Sequence, residues 1–401
     1  MPSVQRLAYL TNARLPTEKA HGYQICKMCE VFPQNGAEVV LLHPFRHQPD
    51  PELATQTVFD YYGVQPVFEV RTLANVDIMR FERWVTESLF TGMFFTHSLL
   101  WGLYAAWQAR QEQADVYFTR NSEIAYWLVR MGLSTVYEAH VVPRRGQHWL
   151  LQQIARQPSL RLVVGLTSFI RDRLVTLGMP AAQTVVLPDG VDMAPFAGLP
   201  NQEECRRRLD LPLDRPIIGY IGRFHTLGIE KGIPELVQAM AALPPKDGKD
   251  PLLLCVGGPM EAVPGYLALA QRHGVTSEKL RFVDRVPNRE VPLWIRACDL
   301  VTIPWPWTEF SAYFTSPLKL FEYMAAAASI IATDLPSLRE VLRHGENAWL
   351  VEAGSAQAIA AGIKHVLGDA DLCTRLAARA RQDAQSYSWS QRAAAILHSL
   401  N

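Results

Sequence analysis

The chain has no surplus of charge of either sign. Its 401 residues carry 39 Lys and Arg against 39 Asp and Glu, a formal net charge of zero. A general nucleic-acid binder is normally clearly basic, so that class is disfavoured. Cysteine is sparse, six in all. Cys26 and Cys29 form a CxxC, but no second pair completes a zinc site. They fall in a helical run, Tyr23 to Phe32, which points to buried free thiols. No GxGxxG follows the first apolar strand, which argues against a nicotinamide dinucleotide site. No short-period repeat and no low-complexity segment is visible. Met1-Pro2-Ser3 leads straight into a short apolar run with no signal-peptide core, so a cytoplasmic chain with reduced cysteines is expected.

What is present is an alternation of short apolar runs with helical stretches, the βαβ pattern of parallel sheets. The runs predict strands at Arg6–Leu10, Glu38–Leu42, Phe68–Arg71, Val116–Thr119, Thr135–Glu138, Leu162–Gly165 and Thr184–Leu187. A second set follows at Ile217–Ile221, Leu252–Val256, Leu280–Val283, Leu300–Ile303, Ile330–Ala332 and Ala348–Val351. Two sets in 401 residues imply an α/β protein of two Rossmann-like domains, since one core of that size is rare. The break falls near Asp192–Asn201, rich in Pro and Gly, giving domains over 1–192 and 202–385. Open α/β sheets bind ligands beyond the carboxyl ends of their strands, so an active site is expected in a cleft between facing domains.

The segment Tyr313 to Ala325 is the most informative. Ser316 reads as an N-cap and Pro317 as the first helical residue. The next free amides, with Lys319 nearby, would suit a phosphate. Helical side chains lean back toward the N-terminus, so Glu322 would face the same ligand, three residues from Lys319. A capped surface helix with a solvated Lys–Glu pair is the plain alternative. Upstream, Arg223 emerges at the end of a strand, and Lys231 follows a loop. Both cations could converge on a diphosphate or simply face solvent. In the first half, Gly22 opens a helix after the first strand and would permit close backbone approach to a ligand, or serve as a plain turn glycine. His140 lies just past Thr135–Glu138, where an imidazole could orient or deprotonate a hydroxyl, or be structural. Arg144, Arg145 and Trp149 follow it and could meet an acceptor or solvent. Asp369-Ala370-Asp371 has a metal-binding spacing but sits at a helix start, where Asp is a favoured cap; no metal is expected.

These residues together resemble retaining glycosyltransferases of the GT-B fold, family 4. The likeness rests on Gly222-Arg223 with Lys231-Gly232, on Ser316-Pro317-Leu318-Lys319-Leu320-Phe321-Glu322-Tyr323-Met324-Ala325, on Asp334-Leu335-Pro336 with Glu340, on Pro188 to Asp192, and on Gly22 with its helix. The resemblance implies transfer of a glycosyl group, hexosyltransferase type, from a UDP- or GDP-sugar to an acceptor hydroxyl on a glycan, lipid or small molecule. It implies Arg223 and Lys231 on the diphosphate and Glu322 on the ribose. Thr315, Ser316 and Leu318 would offer phosphate amides, Arg285 and Val286 would meet the base, and His140 would lie on the acceptor side. It also implies that residues 386–401 cross back to the first domain, and that no cofactor or metal is needed. A second family glutamate, eight positions before Glu322, is Phe314 here. A sugar-nucleotide epimerase and a non-catalytic partner subunit share the architecture.

One stretch lies outside this scheme. Between Glu87 and Arg110 there is no formal charge. The run reads either as buried helices, split in two by Gly92, His97 and Gly102, or as a surface over residues 88–107 that dips into lipid, giving a peripheral membrane protein.

Overall fold

The structure, a computed structural model, describes residues 4–79, 84–143, 145–226, 228–246 and 248–400. Arg144 lies outside the described residues. The chain forms two compact units. The first comprises Met1–Pro188 and Trp389–Asn401, the second Asp189–Ser388.

The first unit is built on a seven-stranded sheet: β1 (Arg6–Leu10), β2 (Glu38–Pro44), β3 (Glu69–Leu73), β4 (Val116–Thr119), β5 (Thr135–Ala139), β6 (Leu160–Gly165) and β7 (Thr184–Val186), in the order β3-β2-β1-β4-β5-β6-β7. All its strand pairs are parallel; Ala8 of the inner strand β1 aligns with Val40 on one side and Tyr117 on the other. Helices cover both faces of such a sheet, so an inner strand must be apolar throughout. Accordingly Leu7, Ala8, Tyr9 and Leu10 are all fully buried.

The second unit has a six-stranded parallel sheet from β8 (Ile217–Ile221), β11 (Leu252–Val256), β12 (Leu280–Val283), β13 (Leu300–Ile303), β14 (Ile330–Thr333) and β15 (Trp349–Val351), ordered β12-β11-β8-β13-β14-β15. A short antiparallel hairpin, β9 (His225–Thr226) with β10 (Ile229–Glu230), follows β8. Every strand expected from the apolar runs is present. The hairpin was not foreseeable, because two residues per strand leave no periodicity to read.

Two features depart from the sequence reading. The stretch read as a linker packs into the second unit: Val191 and Phe196 are buried in its core, and the Val191 amide donates to the Tyr387 carbonyl. The last helix, Trp389–His398, is not among them: it belongs to the first unit, and there the Asn35 amide group donates to the Ser390 carbonyl. The uncharged stretch is one helix, Glu87–Arg110, not two. Glycine inside a helix costs only about 1 kcal/mol, too little to break one that packs. Gly102 is used for packing: a Cβ there would come within 3.2 Å of the Glu123 carbonyl oxygen. Ser98, Trp101, Gly102, Ala105, Ala106 and Ala109 form its buried stripe, whereas Leu89, Leu100 and Trp107 are exposed. No helix among the described residues is long and apolar enough to cross a membrane. Cys26 and Cys29 are buried free thiols, and burial pushes both pKa values up.

Gly22 does permit a close approach, but by a neighbour within its own unit. Tyr62 accepts a hydrogen bond from the Thr17 amide (2.7 Å) and donates one to the Thr17 carbonyl (2.8 Å). Its hydroxyl occupies the place of a Cβ on Gly22, only 2.0 Å from where that atom would be. Tyr62 thus gives Gly22 a packing role within its own unit. Gly22→Ala should destabilise the first unit by about 2 kcal/mol through overpacking, read as a lowered urea midpoint; an unchanged midpoint would show that Tyr62 moves away freely.

Candidate functional site

The residues singled out in the second half gather at the carboxyl end of the second sheet. Lys231 follows β10, and its amide donates to the Phe224 carbonyl (3.0 Å). Gly232 then turns with φ 82°, a conformation suited to glycine, and a Cβ there would lie 1.9 Å from the Pro304 carbonyl oxygen. The backbone is thus pressed against the segment after β13. That places the Lys231 ammonium 4.3 Å from the ring centre of Trp305 and 5.8 Å from that of Phe310. The side chain is buried and makes no ion pair among the described residues. Burial lowers its pKa to about 8, with Glu230 opposing. Aromatic faces hold the cation while leaving its donors uncommitted.

Lys319 and Glu322 come from the helix Leu318–Ala325. Tyr323 on that helix accepts from the Ile221 amide (2.8 Å) and donates to the Ile221 carbonyl (3.2 Å), tying the helix to the end of β8. The tie sets Lys319 beneath the next turn. Its ammonium lies 3.7 Å from the Tyr220 ring centre, and a Cβ on Gly222 would sit 2.4 Å from it. Burial, then repulsion from Lys231, pulls the Lys319 pKa well below the usual ammonium range, against the attraction of Glu322. Burial raises the Glu322 carboxyl to about 7, with Lys319 opposing. Two lysines and one weakly acidic carboxyl thus surround the turn that carries Arg223. The Arg223 side chain is exposed, and its carbonyl accepts from the Tyr220 hydroxyl (2.7 Å).

The helix start differs from the sequence expectation. Pro317, not Ser316, is the residue before the first helical position, and it offers no side-chain cap. The Ser316 hydroxyl instead accepts from the Asp189 amide (2.9 Å), which anchors the Pro188-Asp189-Gly190 motif. Thr315 spends its hydroxyl on the Ser311 carbonyl (2.9 Å). The amides of Thr315, Ser316 and Leu318 donate to no described residue; for Leu318, the first helical residue, the open first turn of the helix requires this. Arg285 and Val286 follow β12 at its carboxyl end, with the Arg285 amide held by Asp284 (2.7 Å). Asp369 caps the helix Ala370–Ala384 by accepting from the Leu372 amide (2.8 Å).

In the first unit, His140 lines a cavity of about 340 Å³ together with Asn12, His21, Arg120, Asn121 and Glu123 among others. Its Nε2 lies 2.5 Å from Glu138, whose carboxylate also receives Gln24 (2.8 Å) and Arg392 (2.8 Å). Burial, then the charge of Arg120, lowers the His140 pKa to about 3, so the ring is neutral at pH 7. Sequence reading found His140 but missed Glu138, Gln24 and Arg392. Glu138 stands two residues away on the same strand, a signal that could have been used; Arg392 is 254 residues distant and gave none. Trp305 and Phe310 were also missed, although Pro304-Trp305-Pro306-Trp307 was visible.

Residues 215–369 match the family model for glycosyl transferases group 1. The match covers the greater part of the second unit. Among curated glycosyltransferases, the chain is 29% identical over 240 residues to the D-inositol 3-phosphate glycosyltransferase of Thermobispora bispora, covering 59% of this chain and 54% of that one. The chain spans about half the length of that curated relative. Its fold is that of GT-B glycosyltransferases. Sucrose-phosphate synthase from Thermosynechococcus elongatus superposes with a TM-score of 0.71 at 18% identity, covering 98% of this chain and 97% of that one. Anabaena HepE in complex with UDP-glucose gives 0.67 at 18% identity, covering 98% and 100%.

The raised Glu322 carboxyl has a consequence for stability. A group that holds its proton more tightly when folded contributes stability in place below its unfolded pKa, near 4.5, and lost as pH rises through about 7. Glu322→Gln should therefore gain on the wild type by on the order of 1 kcal/mol between pH 5 and pH 8. The difference in urea midpoints reads this; parallel pH curves would contradict it.

Proposed function

We propose that the chain is a retaining glycosyltransferase of hexosyltransferase type. It moves a glycosyl group from a nucleoside-diphosphate sugar, with uridine or guanosine as the nucleoside, to an acceptor hydroxyl. One observation carries this reading: Lys231 and Lys319 stand beside Glu322 at one sheet edge, next to the Arg223 turn, with no carboxylate paired to Lys231 among the described residues. Two nearby ammoniums in apolar surroundings favour an anion between them, and a diphosphate fits that demand. Glu322 would accept from ribose hydroxyls. The amides of Thr315, Ser316 and Leu318 would add donors for phosphate oxygens, and Arg285 and Val286 would meet the base. The structure of HepE with UDP-glucose supports a uridine donor.

The reaction in this reading is largely electrostatic. As the glycosidic bond lengthens, negative charge grows on the leaving diphosphate, and Arg223 and Lys231 stabilise it. The departing phosphate oxygen takes the acceptor proton on the same face, which retains the anomeric configuration. No metal is assigned a role. The first unit would hold the acceptor in the cavity lined by His140. Exposed Leu89, Leu100 and Trp107 suit peripheral contact with a membrane over residues 88–107, and with it a lipid-linked acceptor. No observation on the described residues favours the epimerase or the non-catalytic subunit.

Thermal shift against a panel of nucleotide sugars identifies the donor, since a ligand bound to the native state raises the transition temperature. With that donor, Arg223→Ala and Lys231→Ala should each lower kcat/KM about 100- to 1000-fold with unchanged unfolding midpoints. Near-normal turnover in both would remove the assigned roles. EDTA should leave turnover unchanged; loss restored by magnesium would replace this account with a metal-assisted one.

A further inference from the structure

The cavity in the first unit rests on a buried polar network that reaches into the last helix. Glu138 is fully buried on β5. Burial alone would raise its pKa, but Arg392 above all, then His140 and Arg120, hold it well below the carboxylate range. An ionised carboxylate only accepts. One oxygen receives both Gln24 (2.8 Å) and His140 Nε2 (2.5 Å), and the other receives Arg392 (2.8 Å). The His140 Nε2 must therefore carry the ring's hydrogen. Nδ1 then holds a lone pair, and it makes no hydrogen bond to a described residue.

Arg392 is itself held in place. Its guanidinium also donates to the Pro188 carbonyl (2.8 Å) and the Leu187 carbonyl (3.2 Å), at the end of β7. Gln24 cannot turn over freely, because its amide oxygen accepts from Arg120. Each member thus has a single orientation that satisfies its neighbours.

We propose that Glu138 and Arg392 are positioning residues that fix His140 as the Nε2–H tautomer, so that Nδ1 accepts a hydrogen bond from a hydroxyl of the ligand bound in this cavity. This rests on the glycosyltransferase reading for the identity of the ligand, but the tautomer does not depend on it. A hydroxyl-bearing ligand gains an acceptor aimed at it by three buried partners rather than by the loop that carries His140. The last helix is in this way part of the site.

Glu138→Gln tests the assignment. Arg392 needs an acceptor, so the new amide oxygen must face it, and the amide nitrogen must face His140; the Gln24 amide nitrogen then loses its acceptor there. The His140 Nε2 then becomes the acceptor, and the hydrogen moves to Nδ1. Nitrogen-15 NMR of histidine-labelled full-length protein, with His140 assigned by comparison with His140→Asn, should show Nε2–H in the wild type and Nδ1–H in Glu138→Gln. Glu138→Asp should keep the wild-type tautomer. With the donor found above, Glu138→Gln should lower kcat about 100-fold while nucleotide affinity stays unchanged, and Glu138→Asp should recover part of the loss.

A wild-type ring bearing hydrogen on Nδ1, or on both nitrogens, overturns the proposal, and needs no variant to fold. Full activity in Glu138→Gln despite the shifted hydrogen also overturns it. The expected tautomers in a protein that transfers no sugar would leave the positioning intact and remove the glycosyltransferase reading instead.

Discussion

The second unit depends on how it holds a lysine without neutralising it. A buried ammonium is costly unless something offsets its lost hydration. A carboxylate would do so most simply, but would also occupy the donors. At Lys231 the offset comes from Trp305 and Phe310, whose ring faces attract the cation and accept no N–H in the ordinary sense. Lys319 is treated in the same way by Tyr220. The neighbouring acid, Glu322, is raised toward neutrality and does not cancel the two cations. The backbone constraints serve this arrangement: Gly232 lets Lys231 close onto Pro304, and Tyr323 ties the helix of Lys319 to β8.

The first unit solves the opposite problem. There a carboxylate is wholly buried and fully satisfied, with three donors converging on Glu138. Removing one partner from such a set is more damaging than removing the set, because a charge is left without compensation. The network therefore gives His140 a defined orientation at some cost in tolerance to change. Both units place their polar residues at the carboxyl ends of parallel strands, where the chain leaves the sheet and side chains are free of the ladder.

The sheets were legible because parallel strands buried on both faces read as short apolar runs, and those runs end at turn residues. The cations and Glu322 were legible because they sit at strand ends or on one helix, so local spacing groups them. Ser316 was misread because Ser before Pro has the chemistry of a cap, and only the distant Asp189 amide diverts it. The packing role of Gly22 was not legible because nothing local reveals Tyr62 above it. The helix Glu87–Arg110 was split by its glycines on paper, although packing against Glu123 outweighs their propensity. Contacts that span hundreds of residues, such as Arg392 with Glu138, leave no periodic trace.

The first unit is assembled from two separated stretches of chain, with the whole second unit encoded between them. During synthesis the second unit is uninterrupted and can complete its core as it leaves the ribosome. The first must wait with Glu138 short of its ion-pair partner until Arg392 has been translated, some 250 residues later. Order of manufacture thus runs against order along the sequence: the half begun first is the half finished last.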